Sequence, residues 1–269
     1  MFRESPLITF RVQLVSRSTE MTRAAAGTTP KGAQGEQQAA NWVQQMFADI
    51  APRYDLLNHL LSFNIDRGWR KALLRSLSAV SARREAMILD LCCGTGDVML
   101  ALQGVSAAQI IGADFCHPML VSAQNKAARK GRPAQLFEGD ALLLPIDNAQ
   151  LDGISIAFGF RNLANYGAGL EELARVLKAG GVLAILEFSH PRGILTRTAY
   201  GVYSRLILPL IGGAVSGSRE AYSYLPESIS KFPRAGELQR MMQEAGFEQT
   251  RFELLSGGIA ALHVGSKKH

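Results

Sequence analysis

The sequence predicts an α/β fold in which helices cover both faces of a doubly wound, mostly parallel sheet of seven strands. Short apolar runs alternate with amphipathic segments from residue 88 onwards, an order typical of parallel strands joined by right-handed helical crossovers. The last two apolar runs are joined by Ser256-Gly257-Gly258, which predicts an antiparallel hairpin at the C-terminal end. The predicted strands are 88–91, 109–114, 134–138, 151–158, 182–188, 250–255 and 259–264, with helices over 98–102, 118–130, 167–177 and 235–245.

Residues 1–38 differ in composition from the rest of the chain, and we expect them to form a disordered extension. Arg and Ser are frequent at first, a Gly/Ala/Thr/Gln stretch follows, and no apolar periodicity indicates a packed helix. The segment lacks the apolar core of a secretory signal, and Met21 is an alternative start of the protein. The folded domain is therefore predicted over 39–269.

The first part of that domain, 39–80, has helical periodicity and is predicted to form a lid over a ligand. Apolar residues recur on one helical face up to Ile50, and the stretch that leads to Trp69 then mixes Tyr, Asp, Asn and His with apolar positions. A purely structural helix rarely needs so many polar groups, so Tyr54 and Asp55 are expected to face the ligand. Capping is the alternative for Asp55, and Trp69 is expected only to pack.

The stretch I-L-D-L-C-C-G-T-G-D, residues 88–97, predicts a strand, a glycine turn and the start of a helix. Gly94 and Gly96 lack a Cβ, so their backbone can adopt positive φ and a ligand can approach it closely. About 18 residues after Gly96, Asp114 ends the next apolar run, where a carboxylate can accept both ribose hydroxyls of a nucleoside. The corner is therefore a predicted nucleoside site.

The residues around this corner favour one kind of nucleoside. A pyrophosphate-binding G-x-G-x-x-G would place a third glycine at position 99, where the chain has Met99, so a dinucleotide is disfavoured. S-adenosylmethionine carries no phosphate, and Asp90 and Thr95 can supply polar groups for its methionine part. After the third strand, Asp140 can accept the adenine amine while Ala141 lets the purine lie flat. A simple turn acid is the alternative for Asp140.

Composition and charge exclude some classes of protein. With 47% apolar and 19% charged residues, the chain is an ordinary soluble protein, and its 3 cysteines form neither a disulfide framework nor a metal-ligand spacing. The formal net charge of +6 comes from scattered basic residues without interleaved aromatics, so nucleic acid is not the expected partner.

The C-terminal half contains an apolar tract whose longest uncharged run, 206–218, is too short to span a bilayer and contains Pro209. A reducing cytoplasm is the predicted compartment. Contact of this tract with the inner face of the membrane and burial as a core helix are both open alternatives.

The motifs of the chain resemble the class I S-adenosylmethionine-dependent methyltransferases, and more narrowly the family that C-methylates the ring of menaquinone and ubiquinone precursors. The resemblance covers about residues 42–265. Its stretches are Y-D-L-L-N from Tyr54, F-G-F-R-N (158–162), R-V-L-K-A-G-G-V-L-A-I-L-E-F-S (175–189), Y-S-Y-L (222–225) and G-G-I-A-A-L-H-V-G (257–265). The resemblance implies a Rossmann-like domain with S-adenosyl-L-methionine as cofactor, contacted by Thr95, Asp114, Asp140 and Ala141.

The resemblance also implies a polyprenylated quinol as substrate, and departures from the family pattern bear on which one. Cys92 and Cys93 before the glycine turn, and Asp66 where ubiquinone-type members carry histidine, favour demethylmenaquinol. Ala157 stands where some relatives have a serine that reaches the cofactor, so that contact is not expected here. A ubiquinone precursor, a nucleic-acid base, and a non-catalytic scaffold that binds S-adenosylmethionine are the alternatives, and the oligomeric state is open.

Methylation of a ring carbon needs an ionised or hydrogen-bonded hydroquinone, because a neutral aromatic carbon is a poor nucleophile. Arg161 and Asn162 follow the fourth strand, where a guanidinium can stabilise the quinolate and an amide can fix the other oxygen. A salt bridge that ties the loop is the alternative for Arg161. Tyr54, His190 and Tyr222 are weaker candidates for a general base, and the predicted catalytic residues are Arg161, Asn162 and Tyr54.

Overall fold

The computed structural model describes residues 27–55, 64–193, 198, 201 and 219–269. In that part of the chain, one sheet is flanked by helices on both faces. Its strands are β1 (Met87–Leu91), β2 (Gln109–Asp114), β3 (Gln135–Glu138), β4 (Leu151–Ala157), β5 (Leu177–Phe188), β6 (Phe247–Leu255) and β7 (Ala260–Lys267). The helices are α1 (Glu36–Ile50), α2 (Asp66–Ser76), α3 (Ser78–Ser81), α4 (Asp97–Val105), α5 (His117–Arg129), α6 (Tyr166–Val176), α7 (Arg219–Lys231) and α8 (Ala235–Glu244), with 3-10 turns at Ala51–Arg53, Phe160–Asn162 and Ser256–Gly258.

The strand order is β3-β2-β1-β4-β5-β7-β6. The first five strands in this order are parallel, and β7 runs antiparallel to both β5 and β6. The predicted fold, a mostly parallel seven-stranded sheet with a C-terminal antiparallel hairpin, is confirmed. Because β1 lies between β2 and β4, the chain reverses its direction of winding at the end of β1, which is where ligands bind in such sheets.

Alternating side chains of the central strands fill two cores on opposite faces of the sheet. Leu89 and Leu91 join one core with residues of α6 and α8, whereas Ile88 joins the other with residues of α2 and α4. Each of the three is at most 1% exposed. Burial of one such side chain contributes roughly 1.5–3 kcal/mol to the free energy of unfolding. Apolar contacts of this kind hold the helices against both faces of the sheet.

The start of β5 differs from the prediction. A helix over 167–177 and a strand from 182 are predicted, but Leu177 is already extended and pairs with Leu151 of β4. Gly180 and Gly181 lie within the strand, next to an irregularity in the register with β4. Gly180 has a φ of 72°, which glycine adopts without strain. They therefore absorb a kink in a continuous strand and do not end a helix.

The N-terminal residues that the structure describes contact the domain. A Cβ at Gly27 would lie 1.8 Å from the carbonyl oxygen of Ala164, and the amide of Thr28 donates to the carbonyl of Leu163 at 2.8 Å. Helix α1 begins at Glu36. Within the described part of the chain, residues upstream of 39 therefore already contact the domain, and the rest of the predicted extension, 1–26 with Met21, lies outside the described residues.

The predicted lid over 39–80 is helical where it is described. Trp69 packs, as expected: it is 7% exposed, its ring lies against the neighbouring rings of Phe158 and Phe188, and it donates from Nε1 to Ser256 Oγ at 2.9 Å. The stretch 56–63, the run 206–218 and the side chain of Tyr222 lie outside the described residues. Among the described helices, none has both the length and the apolar character needed to cross a membrane.

Candidate active site

A cavity opens at the carboxyl ends of β1, β2 and β4, and its empty space is about 740 Å³ when the part open to solvent is included. One part of its wall follows β1, β2 and β3, and includes Cys92, Gly94, Asp114, Phe115, Asp140 and Ala141. The other part comes from α1, the turn after it and the end of β4, and includes Phe47, Tyr54, Phe158, Gly159, Asn162 and Leu163.

Gly94 and Gly96 shape the corner between β1 and α4. Their φ angles are 54° and 83°, in the region that glycine adopts without steric cost. The amide of Gly94 donates to Asp114 Oδ2 at 2.8 Å, which ties the corner to the end of β2. At position 96, a Cβ would come within 3.1 Å of the Cβ of Ala123 on α5. Gly94 therefore exposes bare backbone to the cavity, and Gly96 allows α5 to pack closely.

Met99 occupies the position at which a dinucleotide site would have its third glycine. Its side chain is fully buried and lies against β2 at Gly112, where a Cβ would be 2.8 Å from the Met99 sulfur. The small residue that permits close helix-to-strand contact is thus on the strand. The corner keeps its tight packing without the glycine pattern of a pyrophosphate site.

Asp114 ends β2 inside the cavity wall. It is 6% exposed, and its carboxylate accepts from the amides of Gly94 at 2.8 Å and Cys116 at 2.9 Å. Burial raises its pKa to about 6, although these backbone donors act in the opposite direction. A hydroxyl donor from a ligand would further favour the ionised form, so a ribose diol is a suitable partner for this group.

Asp140 and Ala141 follow β3 in the same wall. The Asp140 carboxylate accepts from the amide of Leu142 at 2.9 Å, so it does form the turn that was the alternative for this residue. It is also exposed in the cavity wall, and Ala141 beside it is 7% exposed. An acid and a small apolar residue thus lie side by side in the wall after β3, and their contact with an adenine ring stays a prediction.

Asp90 lies behind the glycine corner, and it is not among the described residues that line the cavity. It is 1% exposed and accepts from Ser155 Oγ of β4 at 2.7 Å. Burial raises its pKa to about 7, against the hydrogen bonds from Ser155 and the amide of Met99. Its contacts join β1, β4 and the first turn of α4, so its observed role is to support the corner from below.

Thr95 is also turned away from the cavity and belongs to a cluster of charged side chains. Its Oγ1 donates to Asp55 Oδ1 at 2.5 Å and accepts from Lys126 Nζ at 3.0 Å. Lys126 also pairs with the other oxygen of Asp55 at 2.6 Å and with Asp97 at 2.7 Å. One lysine on α5 thus joins the residue after Tyr54 to the glycine corner.

The same cluster extends to α2 through Arg70, which pairs with Asp97 at 2.5 Å and with Asp66 at 3.2 Å. Burial disfavours the ionised form of Asp97, but Arg70 and Lys126 outweigh this and lower its pKa to about 2. The carboxylate is therefore charged throughout the neutral range. The cluster connects four segments of the chain on one side of the corner.

Arg161 lies in the 3-10 turn after β4, beneath the cavity wall. Its Nη1 donates to Glu187 Oε1 at 2.9 Å and to the carbonyl of Phe158 at 2.5 Å, and its amide donates to Glu187 Oε2 at 3.1 Å. The carbon of the guanidinium lies 5.4 Å from the centroid of the Phe188 ring. The salt bridge that was the alternative for Arg161 is therefore present, and the residue is not among the described ones that line the cavity.

Asn162 and Tyr54 do line the cavity. The Tyr54 ring packs edge-on against Phe47, with centroids 6.1 Å apart, and approaches the backbone at Gly94. The side-chain oxygen of Asn162 accepts from the hydroxyl of Tyr224 at 3.0 Å. These two residues belong to the part of the wall that follows α1 and β4, and their expected contact with a substrate stays a prediction.

Comparison with known proteins assigns the site to a family. The model of the ubiE/COQ5 methyltransferase family matches residues 33–267. The chain belongs to this family. It is therefore an S-adenosylmethionine-dependent methyltransferase, and the alternative of a non-catalytic scaffold is not favoured.

Relatives of this ubiE/COQ5 methyltransferase resemble it over nearly their whole length. A demethylmenaquinone methyltransferase from Thermus thermophilus is 47% identical over 223 residues, which are 82% of this chain and 100% of the relative. A ubiquinone/menaquinone biosynthesis C-methyltransferase, UbiE, from Syntrophotalea carbinolica is 43% identical over 223 residues, 82% of this chain and 92% of the relative. A solved SAM-dependent methyltransferase from Thermotoga maritima shares the fold, with a TM-score of 0.55 and 18% identity, covering 83% of this chain and 100% of that one.

The cavity of this ubiE/COQ5 methyltransferase fits the cofactor of its family, S-adenosylmethionine. Asp114 is a buried acceptor at the expected ribose position, Gly94 offers bare backbone, and Ala141 leaves a flat surface after β3. The corner lacks the pyrophosphate pattern, and this cofactor has no pyrophosphate. Asp114, Gly94, Asp140 and Ala141 would hold it, with Thr95, Gly96 and Asp90 as support behind the wall.

Sequence reasoning missed several residues of this family member's site. Lys126 is one of the scattered basic residues of the sequence, and its position on an amphipathic helix is also typical of a solvated face. Glu187 lies in a predicted strand, but its pairing with Arg161 is a tertiary contact and has no local signal. Tyr224 lay within a resemblance motif without an assigned role, and Thr28 lay in the segment expected to be disordered.

Proposed function

We propose that this methyltransferase transfers the methyl group of S-adenosylmethionine to a ring carbon of demethylmenaquinol. One observation carries the proposal: a single cavity contains the nucleoside acceptor Asp114 at the end of β2 and the amide of Asn162 after β4. Because only β1 lies between these strands, β2 and β4 are about 10 Å apart in the sheet. A methyl donor bound to Asp114 can therefore reach a ring held by Asn162.

The substrate end of the cavity is built to hold a charged oxygen in apolar surroundings. The rings of Phe47, Tyr54 and Phe158 form much of the wall, and the Asn162 amide is a polar group among them. The bound cofactor supplies a methyl group on a positively charged sulfonium. A quinolate loses its negative charge as it takes the methyl, so a dry wall favours the reaction, and an aimed N–H group stabilises the quinolate before transfer.

Tyr54 and Arg161 complete the proposed catalytic set in different ways. Tyr54 lies in the wall beside Gly94, so its ring can orient the substrate close to the donor and its phenol is a candidate for the proton acceptor. Arg161 is held by Glu187 under the wall. The sequence predicts a direct contact between its guanidinium and a quinolate oxygen, and this contact stays a prediction. The double variant in the Discussion distinguishes it from a role of Arg161 in holding the loop.

Demethylmenaquinol is preferred over a ubiquinone precursor on two grounds. The relative of highest identity described above is named for demethylmenaquinone alone, and the residues at Cys92, Cys93 and Asp66 resemble menaquinone-type members. The purified protein should methylate demethylmenaquinol with labelled S-adenosylmethionine at least tenfold faster than the demethylated ubiquinone precursor. Equal rates would mean that the site does not distinguish the rings, and no labelled product with either would overturn the proposal.

Asp114→Ala is expected to abolish cofactor binding, because it removes the buried acceptor for the ribose and the anchor of the Gly94 amide. Titration calorimetry with S-adenosylmethionine measures this directly. Asp147→Ala is the control, since Asp147 is an exposed acid in the loop before β4, and its affinity should match the parent within a factor of two.

We also propose a peripheral contact with a membrane surface, because a polyprenylated quinol resides in a bilayer. Leu143, beside Leu142 of the cavity wall, is 57% exposed and can meet the acyl region. Leu143→Asp should reduce co-sedimentation with vesicles that contain demethylmenaquinol and leave turnover of a short-chain soluble quinol unchanged. Unchanged co-sedimentation would rule out this point of contact.

A further inference from the structure

Three polar side chains from distant parts of the chain form a buried line of hydrogen bonds that ends at the cavity. Thr28 Oγ1 lies 2.6 Å from the hydroxyl of Tyr224, and that hydroxyl donates to Asn162 Oδ1 at 3.0 Å. The three residues are 6%, 5% and 8% exposed, respectively. Of these, Asn162 lines the cavity.

Counting protons gives the line a direction. A phenol has one proton, and Tyr224 donates it to Asn162 Oδ1, so the proton between Thr28 and Tyr224 must come from the threonine hydroxyl. Both protons therefore point towards Asn162. The threonine also fills the acceptor site of the phenol, which would otherwise be free to accept from an amide nitrogen of Asn162.

This direction determines which end of the Asn162 amide faces the substrate. Because the oxygen is held by Tyr224, the nitrogen is on the other side, and within the described part of the chain it donates no hydrogen bond. A reversed amide would put its oxygen lone pairs towards the cavity. It would then repel a negatively charged substrate oxygen, whereas the observed orientation offers two N–H donors to it.

The N-terminal end of the line is fixed to the cavity wall itself. The amide of Thr28 donates to the carbonyl of Leu163 at 2.8 Å, and Gly27 packs so closely on Ala164 that a Cβ would lie 1.8 Å from its carbonyl oxygen. Leu163 and Ala164 follow Asn162 directly and also line the cavity. Thr28 is therefore placed by the same loop whose amide it orients.

We propose that Thr28 and Tyr224 are positioning residues which hold the Asn162 amide with its nitrogen towards the substrate, so that it donates to a quinol or quinolate oxygen. The proposal rests on the proposed function, since it concerns an anionic ring oxygen at the end of the cavity that contains Asn162. It gives the residues at 27–28 a part in turnover that their position in the sequence does not suggest.

Kinetics of Tyr224→Phe and Thr28→Val test the proposal. Each change removes a hydroxyl with little change of shape and allows the Asn162 amide to flip, so that its nitrogen and oxygen exchange places. We expect kcat with demethylmenaquinol to fall about tenfold or more in Tyr224→Phe and about threefold or more in Thr28→Val, a fraction of the roughly 100- to 1,000-fold effect of losing an oxyanion donor. The Kd of S-adenosylmethionine should stay within a factor of two, and Thr28→Ser should restore kcat to within a factor of two of the parent.

A double-mutant cycle separates positioning from general loss of packing. In an Asn162→Ala background, Tyr224→Phe should cause no further fall in kcat, because the amide that it orients is gone. Independent effects in the cycle, a normal kcat in both single variants, or failure of Thr28→Ser to restore kcat would each overturn the proposal. If the parent itself produced no labelled product, the proposed function would have failed, which is a different result from normal turnover in the variants.

Discussion

Arg161 shows how far a single residue can be predicted from sequence. Its place in the loop after β4 is evident from the sequence, but its partner Glu187 is buried on the neighbouring strand, and its role at the substrate stays a prediction. The two residues are 26 positions apart, so their pairing is a tertiary contact that no local sequence pattern indicates. The positions of Asp114 and Gly94 in the cavity wall were predictable because they follow from a local turn and from the end of a strand.

The Arg161 and Glu187 pair supports a prediction on stability. Arg161→Ala leaves a carboxylate that is fully buried without its cation, so the free energy of unfolding should fall by about 3–5 kcal/mol. Denaturant unfolding measures this. The double variant Arg161→Met with Glu187→Gln, which removes both charges, should recover most of the loss.

Turnover in that double variant separates the two roles of Arg161. If the guanidinium contacts the quinolate, kcat stays low although stability has returned. If it acts only by holding the loop, kcat recovers with the fold. A single variant Arg161→Ala as stable as the parent would show that the pair does not hold the loop.

At the scale of elements, helices and strands were predicted well where periodicity is strong, and the errors lie at junctions. The strand β2 has the predicted bounds, whereas β5 begins earlier because its glycines permit a kink within a strand. The contacts between elements were not predictable. Lys126 on α5 reaches both Asp55 and the glycine corner, and only the packing of α5 against α1 and the corner brings these groups together.

Lys126→Met should weaken cofactor binding by about tenfold, because the carboxylates of Asp55 and Asp97 then repel each other across Thr95 and loosen the corner. Calorimetric titration with S-adenosylmethionine at low and high salt checks this. Lys130→Met, at the exposed end of the same helix, is the matched control and should bind like the parent. Equal affinity in both variants would mean that the cluster does not support the site.

The whole molecule follows the predicted architecture because parallel crossovers and a terminal hairpin leave few alternatives. What the sequence could not predict is the electrostatic state of its interior, which depends on burial. Burial raises the pKa of Asp90 to about 7 and that of Asp114 to about 6. Both carboxyl groups therefore bind a proton more readily in the folded protein than in the unfolded chain. Burial of His263 lowers its pKa to about 4 and has the opposite effect on stability.

The pH dependence of stability follows from these values. Asp90 is protonated in the fold and ionised in the unfolded chain between its ordinary value of 3.8 and about 7, so its contribution is complete below that window and is lost as pH rises through it. Asp90→Asn cannot ionise. Relative to the variant, the parent should therefore lose up to about 1.4 kcal/mol of unfolding free energy per pH unit between pH 5 and 7.

Unfolding in denaturant at pH 5, 6, 7 and 8 compares the two proteins, and the difference cancels the opposing effect of His263. Asp152→Asn is the control, because Arg83 and Lys178 lower the pKa of Asp152 despite its burial, and its titration falls below this range. Parallel profiles for the parent and Asp90→Asn would contradict the buried, protonated state of Asp90.

Because Gly27 packs closely on Ala164, the residues next to Gly27 offer a position for a probe of substrate binding. Lys31 is exposed, four residues after Gly27, on the segment that this contact holds against the domain. A fluorescent dye coupled there would lie outside the cavity, on a segment whose residues Gly27 and Thr28 contact the loop that follows Asn162. A change in its emission on addition of a quinol would show that binding is felt at this segment, without any alteration of the groups that line the cavity.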